Sequence, residues 1–256
     1  MSLERERRGR VEILRLLRPE ARNAVDPATA AALEAALDET DADPAVRVVI
    51  VTGTGPVFCA GADLKAIAAG NGAAIMTKRG GFAGMAWRPL AKPTIAAVNG
   101  PALAGGFEIA LACDLVVAAD TAVFGLPEVQ RGLLASAGGP LRLARRIPLA
   151  LALELAVLGE PITAARAYDL GLVNRVVPAE RVLDEALALA EQIVANSPAA
   201  VAGVRELVHG AAAGDLDAAW ALNRRIMREV AASPDGVEGA RAFVEKRAPV
   251  WTDPTP

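Results

Sequence analysis

The sequence predicts an α/β protein with parallel strands and a helical C-terminal part. Three continuous apolar or β-branched segments, at 46–53, 94–98 and 114–120, are typical of strands covered on both faces. The segment "GGFEIALAC" between the second and the third predicts a short helix. Strand, helix and strand in succession indicate parallel pairing. After Pro178 the chain is Ala-rich, and its pattern is helical.

The elements near the N-terminus follow from local signals. The segment "RVEILRLLRP" (10–19) alternates between apolar and polar residues and predicts an early strand. Asp26 and Pro27 are typical of a helix N-cap and of the first helical position, and they predict a helix that runs to about residue 41.

Helix start and stop signals also organise the second half of the chain. Thr163 predicts the start of a short helix that stops at Gly171, before the strand "LVNRVV". Breaks in the helical region are expected at 196–198, 211–215 and 233–236. We therefore expect an α/β core over residues 1–195 and a helical region over residues 196–256.

Composition limits the class of protein. Of the 256 residues, 53% are apolar and 22% are charged, which is the balance of a chain with a substantial core. The net charge of −3 and the absence of a basic stripe argue against a nucleic-acid partner. The longest uncharged stretches have 15 residues, fewer than the ~20 that a membrane helix needs. The charged start "MSLERERRGR" carries no secretory signal, so we expect a cytoplasmic protein without a membrane partner.

The cysteine and histidine residues do not indicate a disulfide framework, a metal site or a catalytic histidine. Cys59 and Cys113 fit no disulfide framework or metal-ligand spacing, which predicts a reducing compartment and no metal site. The single histidine, His209, precedes Gly210 where a helix is expected to end, so a capping or surface role is favoured. Any acid–base catalysis therefore falls to carboxylates.

The segment "VIVTGTGPVFCAGADL" (49–64) first suggests a dinucleotide-binding loop. The third glycine of that fingerprint would be at position 58, which is Phe58, and Pro56 stands where a helix should begin. The small residues of "CAGAD" instead leave the backbone accessible, and Asp63 can cap a following helix. An ordinary glycine-rich turn is the alternative.

The segment "ALAGGFE" (102–108) places two glycines at a helix start. The first N–H groups of a helix lack partners and lie at the positive end of its dipole, so they suit an oxygen that gains negative charge. Tight packing of the helix on a strand is the alternative explanation. Glu108, one turn after Gly105, either faces water or is kept in its apolar run for chemistry.

A second glutamate, Glu128, follows Pro127 in the apolar segment "VFGLPEVQRGLL". It could be an exposed turn residue that pairs with Arg131. Two glutamates in apolar surroundings, twenty residues apart, also suit acid–base chemistry, because burial raises the pKa of a carboxyl group towards neutrality.

Taken together, "FCAGADL", "NGPALAGGFEIALACDLVVA" and "FGLPEVQRGLL" resemble the crotonase superfamily (enoyl-CoA hydratase/isomerase family) in order and spacing. The resemblance extends from about residue 19 to residue 249. It implies a spiral of ββα units with a C-terminal helical trimerisation region, and a homotrimer or a homohexamer built as a dimer of trimers. It also implies an acyl-CoA thioester substrate, with no cofactor besides the coenzyme A of that substrate.

The resemblance assigns roles to residues of this chain. It implies an oxyanion hole formed by the N–H groups of Ala62 and Gly105, and catalysis by Glu108 and Glu128. The residues that it implies for binding of substrate or coenzyme A are Ala60, Gly61, Asp63, Leu64, Lys65, Arg22, Gly106, Pro127, Leu133, Phe243 and Lys246. Phe243 and Lys246 are expected to reach the coenzyme A of a neighbouring subunit.

The implied activity is that of an enoyl-CoA hydratase, which adds water across the 2,3 double bond of a 2-enoyl-CoA. Glu108 would position the water, and Glu128 would handle the proton at C2. The alternatives are a 3,2-enoyl-CoA isomerase, which can use Glu128 alone, and a carnitinyl-CoA-type dehydratase. An acyl-CoA-binding protein without turnover is a further alternative, and the presence of both glutamates argues against it.

The chain departs from the usual sequence of the family at two places, and one further stretch is expected to form the acyl pocket. The family often has glycine where this chain has Ala104, and Gly-Ala-Gly-Gly where it has Ser136 to Gly139, a loop expected behind Glu128. The glycine-rich stretch 66–90 is expected to be mobile and to shape the acyl pocket. The large side chains expected there are Ile67, Met76, Phe82, Met85 and Trp87.

Overall fold

The computed structural model describes residues 2–212 and 214–252. The strands within them are β1 (Leu3–Arg8), β2 (Val11–Leu16), β3 (Val48–Gly53), β4 (Met76–Thr77), β5 (Gly81–Phe82), β6 (Thr94–Val98), β7 (Ala102–Leu103), β8 (Leu115–Ala119), β9 (Val123–Gly125), β10 (Ile162–Thr163) and β11 (Arg175–Val177). The α-helices are α1 (Pro27–Ala42), α2 (Leu64–Ala68), α3 (Gly105–Ala112), α4 (Gly139–Arg146), α5 (Leu149–Leu158), α6 (Ala164–Asp169), α7 (Val182–Val194), α8 (Pro198–Ala211), α9 (Leu216–Ala232) and α10 (Pro234–Glu245).

The main sheet has the strand order β1-β2-β3-β6-β8-β11. All its neighbours pair in parallel except β1 and β2, which form an antiparallel hairpin. Each residue of β6 is buried, as expected of a central parallel strand covered on both faces. The predicted α/β class, the three central strands and the short helix α3 between two of them are confirmed.

The hairpin strand β1 was not predicted from the sequence. Its residues "LERERR" are mostly exposed and charged, and they form ion pairs such as Arg5 with Glu12 (2.8 Å) and Arg7 with Asp43 (3.1 Å). Such pairs contribute little stability at a surface. Charged side chains do, however, discourage a sheet edge from pairing with another chain.

The chain forms repeated ββα turns. Strand β3 is followed by Cys59, which bridges Ala102 of β7, and then by α2. Strands β6 and β7 lead into α3, and β8 and β9 lead into the short 3-10 helix Pro127–Arg131. The second sheet has the order β10-β9-β7, so the segments that leave its short strands lie side by side. This arrangement is the spiral of ββα units that the resemblance implied.

The helix caps largely agree with the sequence. The side chain of Asp26 accepts a hydrogen bond from Thr29 N (2.7 Å) at the start of α1, and Thr163 caps α6. Ser197, Asp215 and Ser233 cap the three C-terminal helices where breaks were expected. Residues 213 and 253–256, which belong to the expected helical region, lie outside the described residues.

The C-terminal helices are tied to the sheet by polar contacts. The half-buried carboxylate of Asp114 accepts hydrogen bonds from Thr94 N (2.8 Å) and from Arg205 Nε (2.8 Å) of α8. His209 Nε2 lies 2.7 Å from the other oxygen of Asp114. His209 lies in the last turn of α8, which ends at Ala211, and its side chain is exposed, in agreement with the capping or surface role that the sequence favoured.

These helices leave large apolar side chains exposed, including Trp220, Met227 and Phe243, the last of which is 86% exposed. The pattern of the Ala-rich region suggests exposure of Ile226 as well, but this side chain is buried. It packs over Gly203, where an added Cβ would lie 2.7 Å from Ile226 Cγ2.

No single helix in the described part of the chain is long and apolar enough to span a membrane. The helix pair 179–194 and 198–211, bent by 107°, reaches the required length and composition together.

Candidate active site

A cleft of about 880 Å³ collects most of the residues singled out in the sequence. It opens where the segments after Cys59, β7 and β9 lie side by side. The sequence-derived candidates that line it are Arg22, Ala60, Ala62, Asp63, Leu64, Lys65, Gly105, Glu108, Pro127, Glu128 and Leu133.

Four of the candidates do not line the cleft. Gly61 lies directly behind it, since an added Cβ would be 3.0 Å from Gly105 N. Gly106 faces Cys59, where an added Cβ would lie 2.1 Å from the carbonyl oxygen, so this glycine permits close packing of α3. Phe243 and Lys246 are exposed at the end of α10.

Two backbone N–H groups at the cleft, those of Ala62 and Gly105, have no hydrogen-bond partner among the described residues. Val25 bonds to both neighbours of Ala62, through Val25 N to Gly61 O (2.8 Å) and Asp63 N to Val25 O (2.9 Å). The N–H of Ala62 therefore points to the other side of the segment. Gly105 is the first residue of α3, so its N–H has no carbonyl within the helix. Within residues 2–212 and 214–252, neither N–H finds a hydrogen-bond acceptor.

The ring of Phe82 covers Gly105. An added Cβ at Gly105 would lie 2.4 Å from Phe82 Cζ, and Phe82 is itself only 5% exposed. The ring therefore packs against the Cα of Gly105, and both residues line the cleft.

Glu108 is buried, with 3% exposure, and its carboxylate has a fixed partner. Gly139 N, at the start of α4, donates a hydrogen bond of 2.8 Å to Glu108 Oε1. Burial raises the pKa of Glu108, while the Gly139 N–H and the charge of Arg142 act in the opposite direction. The loop from Ser136 to Gly139 was expected behind Glu128. In the structure Gly139, the last residue of this loop, contacts Glu108 instead. Gly139 is the first residue of α4, and its N–H needs an acceptor outside the helix.

Glu128 has a different environment. It lies in the 3-10 helix Pro127–Arg131, half-buried, and its Oε2 is enclosed without a hydrogen-bond partner among the described residues. Burial raises the pKa of Glu128 to about 7, and the nearby charge of Glu108 adds to this shift. The alternative in which Glu128 is an exposed turn residue does not match this burial.

Asp63 lines the cleft, but its carboxylate is already occupied. It accepts hydrogen bonds from Lys65 N (2.9 Å), as the N-cap of α2, and from Arg18 Nη2 (2.9 Å). Burial tends to raise the pKa of Asp63, and these hydrogen bonds outweigh that effect and lower it. The predicted cap is confirmed, and Arg18 is a partner that the sequence analysis did not identify.

The stretch 66–90 contributes one apolar wall. Ile67, Met76 and Phe82 line the cleft as expected, together with Ile75. Met85 is buried in the core instead, and Trp87 is exposed outside the cleft. The wall is tied to α1, because Glu34 accepts hydrogen bonds from Thr77 Oγ1 (2.6 Å) and Gly80 N (2.8 Å).

Comparisons with known proteins agree with this geometry. The profile of the family described as Enoyl-CoA hydratase/isomerase matches residues 6–254. A carnitinyl-CoA dehydratase of Proteus mirabilis is 41% identical over 98% of each chain, and a probable enoyl-CoA hydratase of Mycobacterium bovis is 42% identical over 96% of each. A crystal structure of enoyl-CoA hydratase from Mycobacterium tuberculosis superposes with a TM-score of 0.94, at 46% identity over 99% of each chain.

The chain belongs to the enoyl-CoA hydratase/isomerase family. The family often has glycine at the position of Ala104. In this chain Ala104 lies immediately before α3 and adopts φ 53° and ψ −130°. This is a conformation that costs a non-glycine residue of order 1–3 kcal/mol. Its carbonyl oxygen accepts from Phe107 N (2.9 Å) and Glu108 N (3.1 Å), so the strained turn fixes the first residues of the helix.

The raised pKa of Glu128 predicts a pH-dependent gain in stability for Glu128→Gln. Between the ordinary glutamate pKa of 4.5 and about 7, the folded chain holds a proton that the unfolded chain has released. The stability of the wild-type protein therefore falls as pH rises through this range, by up to about 3 kcal/mol from this group. Glutamine has no charge to bury, so the variant should gain more over wild type at pH 8 than at pH 5.

Urea unfolding of both proteins at pH 5 and pH 8 measures this difference. The same stability difference at the two pH values would show that Glu128 is not buried as described.

Proposed function

We propose that this protein is an enoyl-CoA hydratase, which adds water across the 2,3 double bond of a 2-enoyl-CoA thioester. The observation that carries the proposal is the convergence, in one cleft, of two unpartnered N–H groups and two glutamates with raised pKa values. The N–H groups of Ala62 and Gly105 bind the thioester oxygen. Negative charge develops on this oxygen when water adds at C3.

The two glutamates divide the proton transfers. Glu108 accepts a hydrogen bond from Gly139 N (2.8 Å) and interacts electrostatically with the positive charge of Arg142. Both interactions favour the ionised form of Glu108. It orients the water and takes one of its protons as the C3–O bond forms. Glu128, with its pKa of about 7, carries a proton in part of the molecules and delivers it to C2. Two carboxyl groups with different environments can thus act as base and acid at the same pH.

The remaining cleft residues suit the coenzyme A part of the substrate. Arg22 and Lys65 supply positive charge at the cleft, and Ala60 and Leu64 adjoin them. We propose that Phe243 and Lys246 complete this site from a neighbouring subunit. The mechanism uses only groups of the chain and the substrate, so we propose no separate cofactor. Cys59 and Cys113 are free, which suits the cytoplasmic location that we propose.

Dehydration of a carnitinyl-CoA-type substrate is the second candidate, because relatives at 41% identity carry that name. The reaction breaks the same C–O bond that hydration forms. The acyl wall of Ile67, Ile75, Met76 and Phe82 is apolar, and this favours an uncharged acyl chain over one that carries a quaternary ammonium group.

We expect purified protein to hydrate crotonyl-CoA, and Glu108→Gln and Glu128→Gln each to lower the rate by about 10²–10⁴-fold. The double variant should lose little more, because residues that act as a unit are not additive. The loss of enoyl absorbance measures hydration, with folding checked by circular dichroism.

The same variants separate hydration from isomerisation. Moving a double bond takes and returns one proton, so isomerisation of a 3-enoyl-CoA should survive Glu108→Gln better than Glu128→Gln. Near-normal hydration by Glu108→Gln would exclude Glu108 from the proposed mechanism, and wild-type protein that isomerises a 3-enoyl-CoA without hydrating crotonyl-CoA would favour the isomerase. Wild-type protein that binds crotonyl-CoA and leaves it unchanged would favour a binding protein.

The donor role of Gly105 is testable if the contact with Phe82 is first relieved. In a Phe82→Ala background, Gly105→Pro removes the N–H and Gly105→Ala keeps it, while both add a Cβ. We expect the proline variant to hydrate crotonyl-CoA about 10²–10³-fold more slowly than the alanine variant, because one oxyanion donor is lost. Equal turnover by the two folded proteins would exclude the Gly105 N–H as a donor.

We also propose that the protein is a homotrimer or a dimer of trimers. The exposed apolar side chains of α8–α10, among them Val208, Trp220, Met227 and Phe243, form more apolar surface than a lone chain normally leaves in water. Light scattering at micromolar concentration should give three or six times the mass of one chain. A monomer would contradict the assembly and the shared coenzyme A site.

A further inference from the structure

Arg142 lies between two segments that meet at the cleft. Its Nη1 donates a hydrogen bond to Ala137 O (3.0 Å), and its Nη2 donates to Ala86 O. The guanidinium also packs on Gly138, where an added Cβ would lie 2.3 Å from Nη1. Gly138 has φ 101°, a conformation that favours glycine. One planar cation therefore joins the loop before α4 to the end of the 66–90 stretch.

Each of these segments holds a part of the proposed machinery. Ala137 leads through Gly138 to Gly139, whose N–H donates to Glu108 Oε1 at 2.8 Å. Ala86 lies close along the chain to Phe82, whose ring packs on Gly105. A shift of the guanidinium would thus move the Gly139 N–H that donates to Glu108, and the Phe82 ring that packs on Gly105.

Arg142 also acts on Glu108 through its charge. The charged groups that face Glu108 are Arg142 from α4, which favours the ionised carboxylate, and Glu128 from the 3-10 helix, which opposes it. The neighbouring Arg146, on the same helix, instead donates to Cys113 O (3.1 Å). It offers a control for loss of an arginine from α4 that bonds to a backbone carbonyl away from Glu108.

We propose that Arg142 is a positioning residue, which orients Glu108 through the Ala137–Gly139 loop and holds the Phe82 wall over Gly105. The kinetic part of this inference rests on the proposed hydration. Arg142 does not touch the substrate in this scheme. A 1 Å displacement of a catalytic group can cost about 10²-fold in rate, so a residue that fixes two such groups affects turnover strongly.

The kinetic test compares Arg142→Met, Arg142→Lys and the control Arg146→Met. We expect Arg142→Met to lose about 10²-fold in kcat for crotonyl-CoA hydration, with KM changed far less. The acid limb of its pH–rate profile should move to higher pH, because removal of the positive charge raises the pKa of Glu108. Arg142→Lys keeps the charge without the planar link between two carbonyl groups, so its acid limb should stay in place while its kcat remains low. Arg146→Met should resemble wild type in both respects.

A second readout needs no turnover. Carbon-13 NMR of the glutamate carboxyl groups, with Glu108 assigned from Glu108→Gln, follows the titration of Glu108 in the free protein. Arg142→Met should move this titration upward, and Arg146→Met should leave it where wild type has it. If wild-type protein fails to hydrate crotonyl-CoA, the proposed function fails, and the NMR titration alone decides this inference.

Two outcomes would overturn the inference. One is an unmoved Glu108 titration in folded Arg142→Met, which would reduce Arg142 to a structural role. The other is wild-type kcat in Arg142→Lys, which would show that the link between the two carbonyl groups does not matter. If Arg142→Met does not fold, the lysine variant carries the test, since low kcat with an unmoved titration is expected only of a positioning residue.

Discussion

The close approach of α3 to the segment that follows β3 is the contact on which the candidate site depends. Two glycines permit it, since a side chain at Gly61 would meet Ala104 and Gly105, and one at Gly106 would overlap the carbonyl of Cys59. The approach sets the separation between the N–H groups of Ala62 and Gly105. It also places the first turn of α3, and with it Glu108, against the cleft. The separation of the two N–H groups is therefore set by backbone contacts.

The environments of the two glutamates differ because their hydrogen bonds differ. Glu108 is the more deeply buried, but it meets a helix N-terminus and a cation, which offset the cost of burying its charge. Glu128 is less buried, yet it has an enclosed oxygen with no partner in the described part of the chain. An unpaired carboxyl group lowers its free energy by holding a proton. Burial raises the pKa of both groups, but only Glu108 has a backbone donor from another segment and a cation that oppose the rise.

The sequence predicted the central strands, the helix caps and the two glutamates, because those signals are local. Continuous β-branched residues predict buried strands, and Asp26, Thr163 and Ser233 lie directly before the helices that they cap. It did not predict strand β1, since charged residues at a sheet edge resemble a loop. Nor could it place Arg142 or Gly139 at Glu108, because these contacts join residues about thirty positions apart. Gly61 was identified only through the resemblance. Gly106 belongs to the glycine pair for which tight packing of the helix start was the alternative explanation, and the fold shows that packing against Cys59.

The hydrogen bonds of Glu34 to the 66–90 stretch anchor the apolar wall of the cleft to a different element from the one that holds the N–H groups and the glutamates. The N–H groups and the glutamates belong to the ββα units of the spiral. The apolar wall is instead hydrogen-bonded to α1, because Glu34 accepts from Thr77 and Gly80. Insertions or substitutions in the wall can thus change the shape offered to an acyl chain without moving the turn at Ala104. A scaffold divided in this way allows the acyl wall to change while the N–H groups and the glutamates keep their positions.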